Sequence, residues 1–263
     1  MNFFSVGGQS FAYRVDGPDD APTVVLVNSL GTDLHMWDQQ VAALCNDLRI
    51  VRYDCRGHGA SSVPAGPYTI SQLGHDLLAL LDTLQIERTH ICGLSLGGMI
   101  ALWFTAHYPK RVAHAIFANT AARIGSEAIW NARIDAVKSG GMASIRAAVL
   151  ARFLSENFQQ QHPETTQQIG AMVAGTNPLG YIGACAAIRD ADLHPLLSAI
   201  HAPSLIIGSS LDLSTPPTQA RELHAAIADS ELVILQEVAH LSNIEQPAVF
   251  SEHVRSFLLR SWL

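Results

Sequence analysis

The chain has little of what several functional classes require. Charged residues make up only 15% of its 263 positions, and 16 Lys and Arg against 23 Asp and Glu leave a formal charge of −7. The basic residues form no block, so no nucleic acid and no membrane surface is expected as a partner. Four cysteines (Cys45, Cys55, Cys92 and Cys185) stand far apart with no CxxC pair, which argues against a disulfide framework or a thiolate metal site. The histidines include no HxH or HxxxH pair, and no metal site is expected. No apolar run approaches the ~20 residues of a membrane span. The opening Met1-Asn2-Phe3-Phe4 has neither the charged nor the apolar region of a signal peptide. A reduced cytoplasmic setting is therefore the expectation.

What is present is apolar and regularly spaced. Hydrophobic residues make up 48% of the chain, enough for one large core. Residues 3–6 and 11–15 flank Gly7-Gly8 and predict an antiparallel hairpin. Short apolar runs at 24–27, 50–53, 90–92, 115–118, 205–207 and 232–235 then alternate with helical periods. Near-continuous apolarity suits strands covered on both faces. Leu73, Leu77, Leu80, Leu81 and Leu84 share one helical face, as do Phe250, Val254, Phe257 and Leu258 behind Pro247. Strands alternating with helices predict a parallel α/β sheet. From about Arg123 to Asp192 the β-runs stop, and helices are expected near 127–138, 142–154, 164–173 and 179–188. The expected division is a core over 1–122, a helical cap or lid over 123–193, and the rest of the core over 194–263.

The chemistry-bearing stretch is Gly93-Leu94-Ser95-Leu96-Gly97, directly behind an apolar run. Glycines on either side of a serine allow a sharp strand-to-helix elbow that leaves the hydroxyl clear of both elements. A serine hydroxyl needs a base to take its proton, and the base needs an orienting acid. Asp212 follows the run at 205–207, and His240 follows the run at 232–235. All three residues thus fall past the C-terminal ends of expected parallel strands, where such sheets build their sites. The order Ser95, Asp212, His240 is nucleophile, acid, base. The backbone N–H of Leu96 and that of Leu30, in Asn28-Ser29-Leu30-Gly31, are the candidate oxyanion donors. Asp54 reads as the centre of a hydrogen-bonded turn and Glu245 as a helix-start residue. Trp37 and Met99 are expected in the core, and Cys92 as a small buried hydrophobe.

Four segments together resemble the α/β-hydrolase superfamily over essentially the whole chain. They are Asn28-Ser29-Leu30-Gly31 with Trp37, the run from Tyr53 through Arg56-Gly57-His58-Gly59 to Ser61, the run from Gly93 to Gly98, and the run from His240 to Pro247. Asn28-Ser29, Gly93-Leu94-Ser95-Leu96-Gly97-Gly98-Met99 and Ala186-Ala187-Ile188-Arg189-Asp190 further resemble bacterial 3-oxoadipate enol-lactonases, enzymes of the β-ketoadipate pathway of aromatic-compound catabolism. The resemblance implies a mostly parallel eight-stranded sheet with helices on both faces and an inserted lid. It also implies cofactor-free opening of a small carboxylated enol-lactone through an acyl-enzyme on Ser95.

Such a substrate carries a carboxylate, which an acidic protein must meet with a local cation. Trp130, Arg133, Ile134 and Val137 share one helical face, and an arginine among apolar neighbours there could bind a carboxylate bidentately, with Trp130 as an apolar wall. Arg189 and Arg123 are the alternatives. The same triad would also serve a carboxylesterase, another lactonase, or a carbon–carbon bond hydrolase of ring-cleavage products. A non-catalytic sensor of a small ligand is the remaining alternative.

Overall fold

The computed structural model describes residues 1–260; the last three positions of the expected second core segment lie outside the described residues. Eight strands form one sheet: β1 (Asn2–Val6), β2 (Gln9–Asp16), β3 (Thr23–Val27), β4 (Arg49–Tyr53), β5 (Thr89–Leu94), β6 (Val112–Ala118), β7 (Ser204–Ser209) and β8 (Ser230–Leu235). Their spatial order is β1-β2-β4-β3-β5-β6-β7-β8. The β1–β2 and β2–β4 pairs are antiparallel and every other pair is parallel. All six residues of β5 and of β7 are buried, as strands covered on both faces require. β8 departs from the expectation of full burial. It pairs only with β7, and Leu232, Val233 and Ile234 stay partly exposed at that sheet edge.

The helices between the strands follow from local sequence. After β3 comes α1 (Asp38–Leu44), and after β4 comes α2 (Ile70–Thr83). Thr69 starts α2 with a capping box, its side chain accepting from Gln72 N while Gln72 answers to the Thr69 N–H. Leu73, Leu77, Leu80 and Leu81 then bury one face, each stabilising the fold by about 1.5–3 kcal/mol relative to exposure. α3 (Leu96–His107) follows β5 directly and is buried almost all round, lying against β5, β6 and α2.

Between β6 and β7 the chain forms α4 (Glu127–Gly140), α5 (Arg146–Phe153), α6 (Glu156–Gln161), α7 (Pro163–Gly175) and α8 (Pro178–Arg189). The stretch read as one helix over 142–154 is broken, with a tight 3-10 turn at Met142–Ser144 before α5. α6 was not expected. Its sequence ENFQQQ has no apolar period, and it starts because Ser155 accepts from Phe158 N at 3.2 Å. α9 (Pro217–Ala226), α10 (Ser242–Glu245) and α11 (Pro247–Leu259) complete the chain. Among the described residues no single helix is long and apolar enough to cross a membrane.

Candidate active site

Ser95 occupies the turn between β5 and α3 at φ 59° and ψ −115°, a conformation unfavourable for a residue with a side chain. Its neighbours explain how the chain tolerates it. A methyl group on Gly93 would collide with the Gly97 carbonyl, and one on Gly97 with the carbonyls of Val27 and Asn28. Only glycine lets the strand, the turn and the helix approach this closely. Ser95 N–H donates to Ala118 O at 3.0 Å, and Thr120 Oγ1 donates to Ser95 O at 2.7 Å, so the strained turn is tied to β6.

Asp212 lies in the loop after β7 and His240 in the loop after β8; both are almost completely buried. His240 Nδ1 sits 2.8 Å from Asp212 Oδ2. The carboxylate only accepts, so Nδ1 carries the proton and Nε2 is left bare. Asp212 takes four further hydrogen bonds: from Asn119 Nδ2 (2.9 Å), Thr215 Oγ1 (2.7 Å), Ser214 N (2.8 Å) and Thr215 N (2.9 Å). Burial alone would raise its pKa. The His240 charge and hydrogen bond, with those from Thr215 and Asn119, outweigh burial and hold the carboxyl below the ordinary aspartate range.

Ser95 and His240 line one cleft together with Leu30, Ile124, Ile129, Trp130, Arg133, Arg152, Phe153, Ile188 and Leu213. Neither Leu30 N–H nor Leu96 N–H donates to a protein acceptor among the described residues. Leu96 opens α3, where a free N–H is expected. Trp130 donates from Nε1 to Ile124 O at 2.6 Å, and the Arg133 guanidinium lies 5.1 Å from the Trp130 ring centroid. Arg133 has no carboxylate partner among the described residues, whereas Arg189 is chelated by Asp190 and also donates to Asn131. Arg123 faces Asp192 at 4.0 Å. Neither of these two arginines reaches the cleft wall.

Several residues at the site escaped the sequence reading. Asn119 follows β6 at φ 42° and bridges Asp212, Ser209 and Ser242 through its amide. Arg152 lines the cleft and donates to Leu213 O, and the Phe153 ring stacks on His240 with centroids 5.5 Å apart. An arginine and an aromatic on the apolar side of α5 were the available signal. Glu245 corrects an expectation. It ends α10 rather than starting a helix, and its carboxylate accepts from Ser155 N (3.0 Å), Ser155 Oγ (2.6 Å) and Ala239 N (3.0 Å). Asp54 does organise a turn, accepting from Leu34 N and Ala60 N. Trp37, Met99 and Cys92 are fully buried, and burial raises the Cys92 thiol pKa.

A serine at a strained strand–helix elbow, with a hydrogen-bonded aspartate–histidine pair beyond two later strands of a mostly parallel sheet, is the arrangement of a class of hydrolase. Residues 22–247 match the family described as alpha/beta hydrolase fold. The chain belongs to that family. It is 39% identical to 3-oxoadipate enol-lactonase 2 of Acinetobacter baylyi over 248 residues, 94% of this chain and 92% of that protein. The crystal structure of the enol-lactonase from Burkholderia xenovorans LB400 superposes with a TM-score of 0.97 at 42% identity, covering 98% of this chain and 100% of that one. A malate-bound thermophilic esterase from Thermogutta terrifontis superposes with a TM-score of 0.91 at 27% identity, over 97% and 96% of the two chains.

Proposed function

We propose that this protein is a serine hydrolase that opens 3-oxoadipate enol-lactone to 3-oxoadipate, with Ser95, His240 and Asp212 as its triad. The observation that carries this reading is a single cleft walled at one end by Ser95 and His240 and elsewhere by Arg133, a cation with no carboxylate partner among the described residues. Similarity to enol-lactonases at 39% and 42% identity supports the choice of lactone.

In this mechanism Arg133 binds the substrate carboxylate and Trp130 forms the apolar wall beside it. Ser95 Oγ attacks the ring carbonyl as His240 Nε2 takes its proton, and Asp212 stabilises the imidazolium that forms. The N–H groups of Leu30 and Leu96 hold the oxyanion, each donor contributing about 3 kcal/mol to the barrier reduction. Collapse breaks the ring C–O bond, and His240 returns the proton to the departing enol oxygen. That oxygen stays tethered through the acyl chain on Ser95. Water, deprotonated by His240, then attacks the acyl-enzyme, His240 hands that proton to the departing Ser95 Oγ, and the enol relaxes to the ketone. No cofactor takes part. The five helices α4–α8 act as the lid, since α4 brings Trp130 and Arg133 over the elbow. Reaction in a reducing cytoplasm agrees with four cysteines that all remain free thiols.

The test follows loss of enol-lactone absorbance with purified protein. Turnover that disappears in Ser95→Ala supports the proposal. Turnover of simple aryl esters without turnover of the lactone would instead favour the carboxylesterase reading, which the similarity to the Thermogutta esterase keeps in view.

A further inference from the structure

The turn from Arg56 to Gly59 takes no part in the reaction as described, yet one of its side chains touches the loop that carries Leu30. His58 is 1% exposed, and both of its ring nitrogens are engaged. Nδ1 lies 3.1 Å from Arg56 O, which only accepts, so Nδ1 carries the proton. Nε2 is then bare and accepts the Gly31 N–H at 3.0 Å. Burial pushes the pKa of His58 down to about 4, the Arg56 carbonyl offsetting part of that effect, and the ring stays neutral near pH 7.

The peptide just before is pinned from another direction. Ser29 O accepts from both Thr32 Oγ1 (2.8 Å) and Thr32 N (3.3 Å). This peptide is trans, as are all described ones except Gly66–Pro67. In a trans peptide the C=O and N–H point opposite ways, so holding the Ser29 carbonyl aims the Leu30 N–H away from Thr32. The next peptide is held through its own N–H by His58. Gly31 adopts φ +76°, and a Cβ there would come within 3.1 Å of the Tyr181 ring on α8. A larger residue cannot stiffen the loop at that point, and a hydrogen bond from beneath does so instead.

We propose that His58 is a positioning residue for the oxyanion hole, holding the Leu30–Gly31 peptide so that the Leu30 N–H stays aimed at the oxygen that takes up charge on Ser95's substrate. The proposal rests on the assignment of Ser95 and Leu30 made above. Without the acceptor, the Gly31 N–H is buried unpaired and the peptide gains a reason to rotate. The effect falls on the transition state more than on ground-state binding, because the oxyanion exists only there.

His58→Leu, which cannot accept, is compared with His58→Gln, whose Oε1 reaches the position of Nε2. In His58→Leu, kcat for p-nitrophenyl butyrate is expected to fall about 30- to 100-fold with KM within about threefold. The Kd of phenylboronic acid, which forms a tetrahedral adduct on a serine, should rise by a similar factor, and His58→Gln should recover most of both. Equal kcat and boronate affinity in wild type and His58→Leu overturn the positioning role while leaving the triad in place. Wild-type protein that neither hydrolyses the ester nor binds the boronate removes the underlying assignment, and this proposal with it. A measurement that needs no variant is the ¹⁵N NMR spectrum of His58 at pH 7. The Nδ1–H tautomer supports the role, and the Nε2–H tautomer overturns it.

Discussion

The two ends of the cleft are built differently. At the Ser95 end the aspartate and the elbow backbone are fastened: Asp212 takes five hydrogen bonds including that from His240, the Ser95 backbone is tied to Ala118 and Thr120, and Phe153 stacks on the imidazole. At the far end Trp130 holds one hydrogen bond to Ile124, and Arg133 rests over Trp130 without a carboxylate. The fastened end has its geometry set before substrate arrives, which is what stabilising a developing charge requires. The open end keeps a cation with no carboxylate partner among the described residues, which is what recognising an anionic substrate requires. Under the proposed function, reaction type and substrate choice reside in separate parts of the molecule.

That separation can be attacked from the fastened end first. Asp212→Asn preserves shape but offers His240 an amide in place of the carboxylate, which favours the wrong imidazole tautomer. It should lower kcat by about 10⁴-fold, with KM for any ester little changed in steady-state assays. A loss below about tenfold would show that Asn119 and Thr215 hold the histidine without the acid.

Acid should lower the stability of the whole fold. His58 has a folded pKa of about 4, well below the unfolded value of about 6.5. Between those values the unfolded chain binds more protons, so stability is complete above pH 6.5 and declines as pH falls toward 4. From pH 7 to pH 5 this one buried ring lowers unfolding stability by about 2 kcal/mol, seen as a lower urea midpoint. His90, brought down to about 4 by burial and then by the neighbouring His114 and Arg88, acts in the same direction. Asp212, whose pKa is depressed, adds to the decline only as pH falls below about 3.9 and through its folded value. A midpoint unchanged between pH 7 and pH 5 would contradict the buried neutral rings.

A smaller effect is expected at the joint between the two ends. Glu245 fastens Ser155, which starts α6, to Ala239, which precedes His240. Glu245→Ala should reduce kcat about tenfold by leaving buried donors unpaired and letting the base loop shift. Ser155→Ala on top of it should add little, since both act through one network. Full additivity in the double variant would show that the two residues act separately.

Much of the fastened end was legible from sequence because its residues carry distinctive local demands. An elbow serine needs small neighbours on both sides, and Gly93 and Gly97 stand there because any side chain would collide. Asp212 and His240 followed from strand order alone. Asn119, Glu245 and His58 were not legible as site residues, because their roles depend on partners up to 123 positions away, as with Asn119 and Ser242. The helical region was harder to read. α6 is polar and set by a cap, and the break before α5 falls where the apolar spacing continues. Arg133 stood out as a cation on an apolar face, but what separates it from Arg189 is Asp190, and that pairing shows only in three dimensions.

The most direct measurement of the account is kcat/KM for two substrates, the carboxylated enol-lactone and an uncharged aryl ester, in wild type and Arg133→Ala. If the cation at the open end selects the substrate and the fastened end performs the reaction, the lactone value falls about 100-fold and the ester value stays within about threefold. An equal fall for both substrates, or no fall for the lactone, would contradict the division of labour between the two ends.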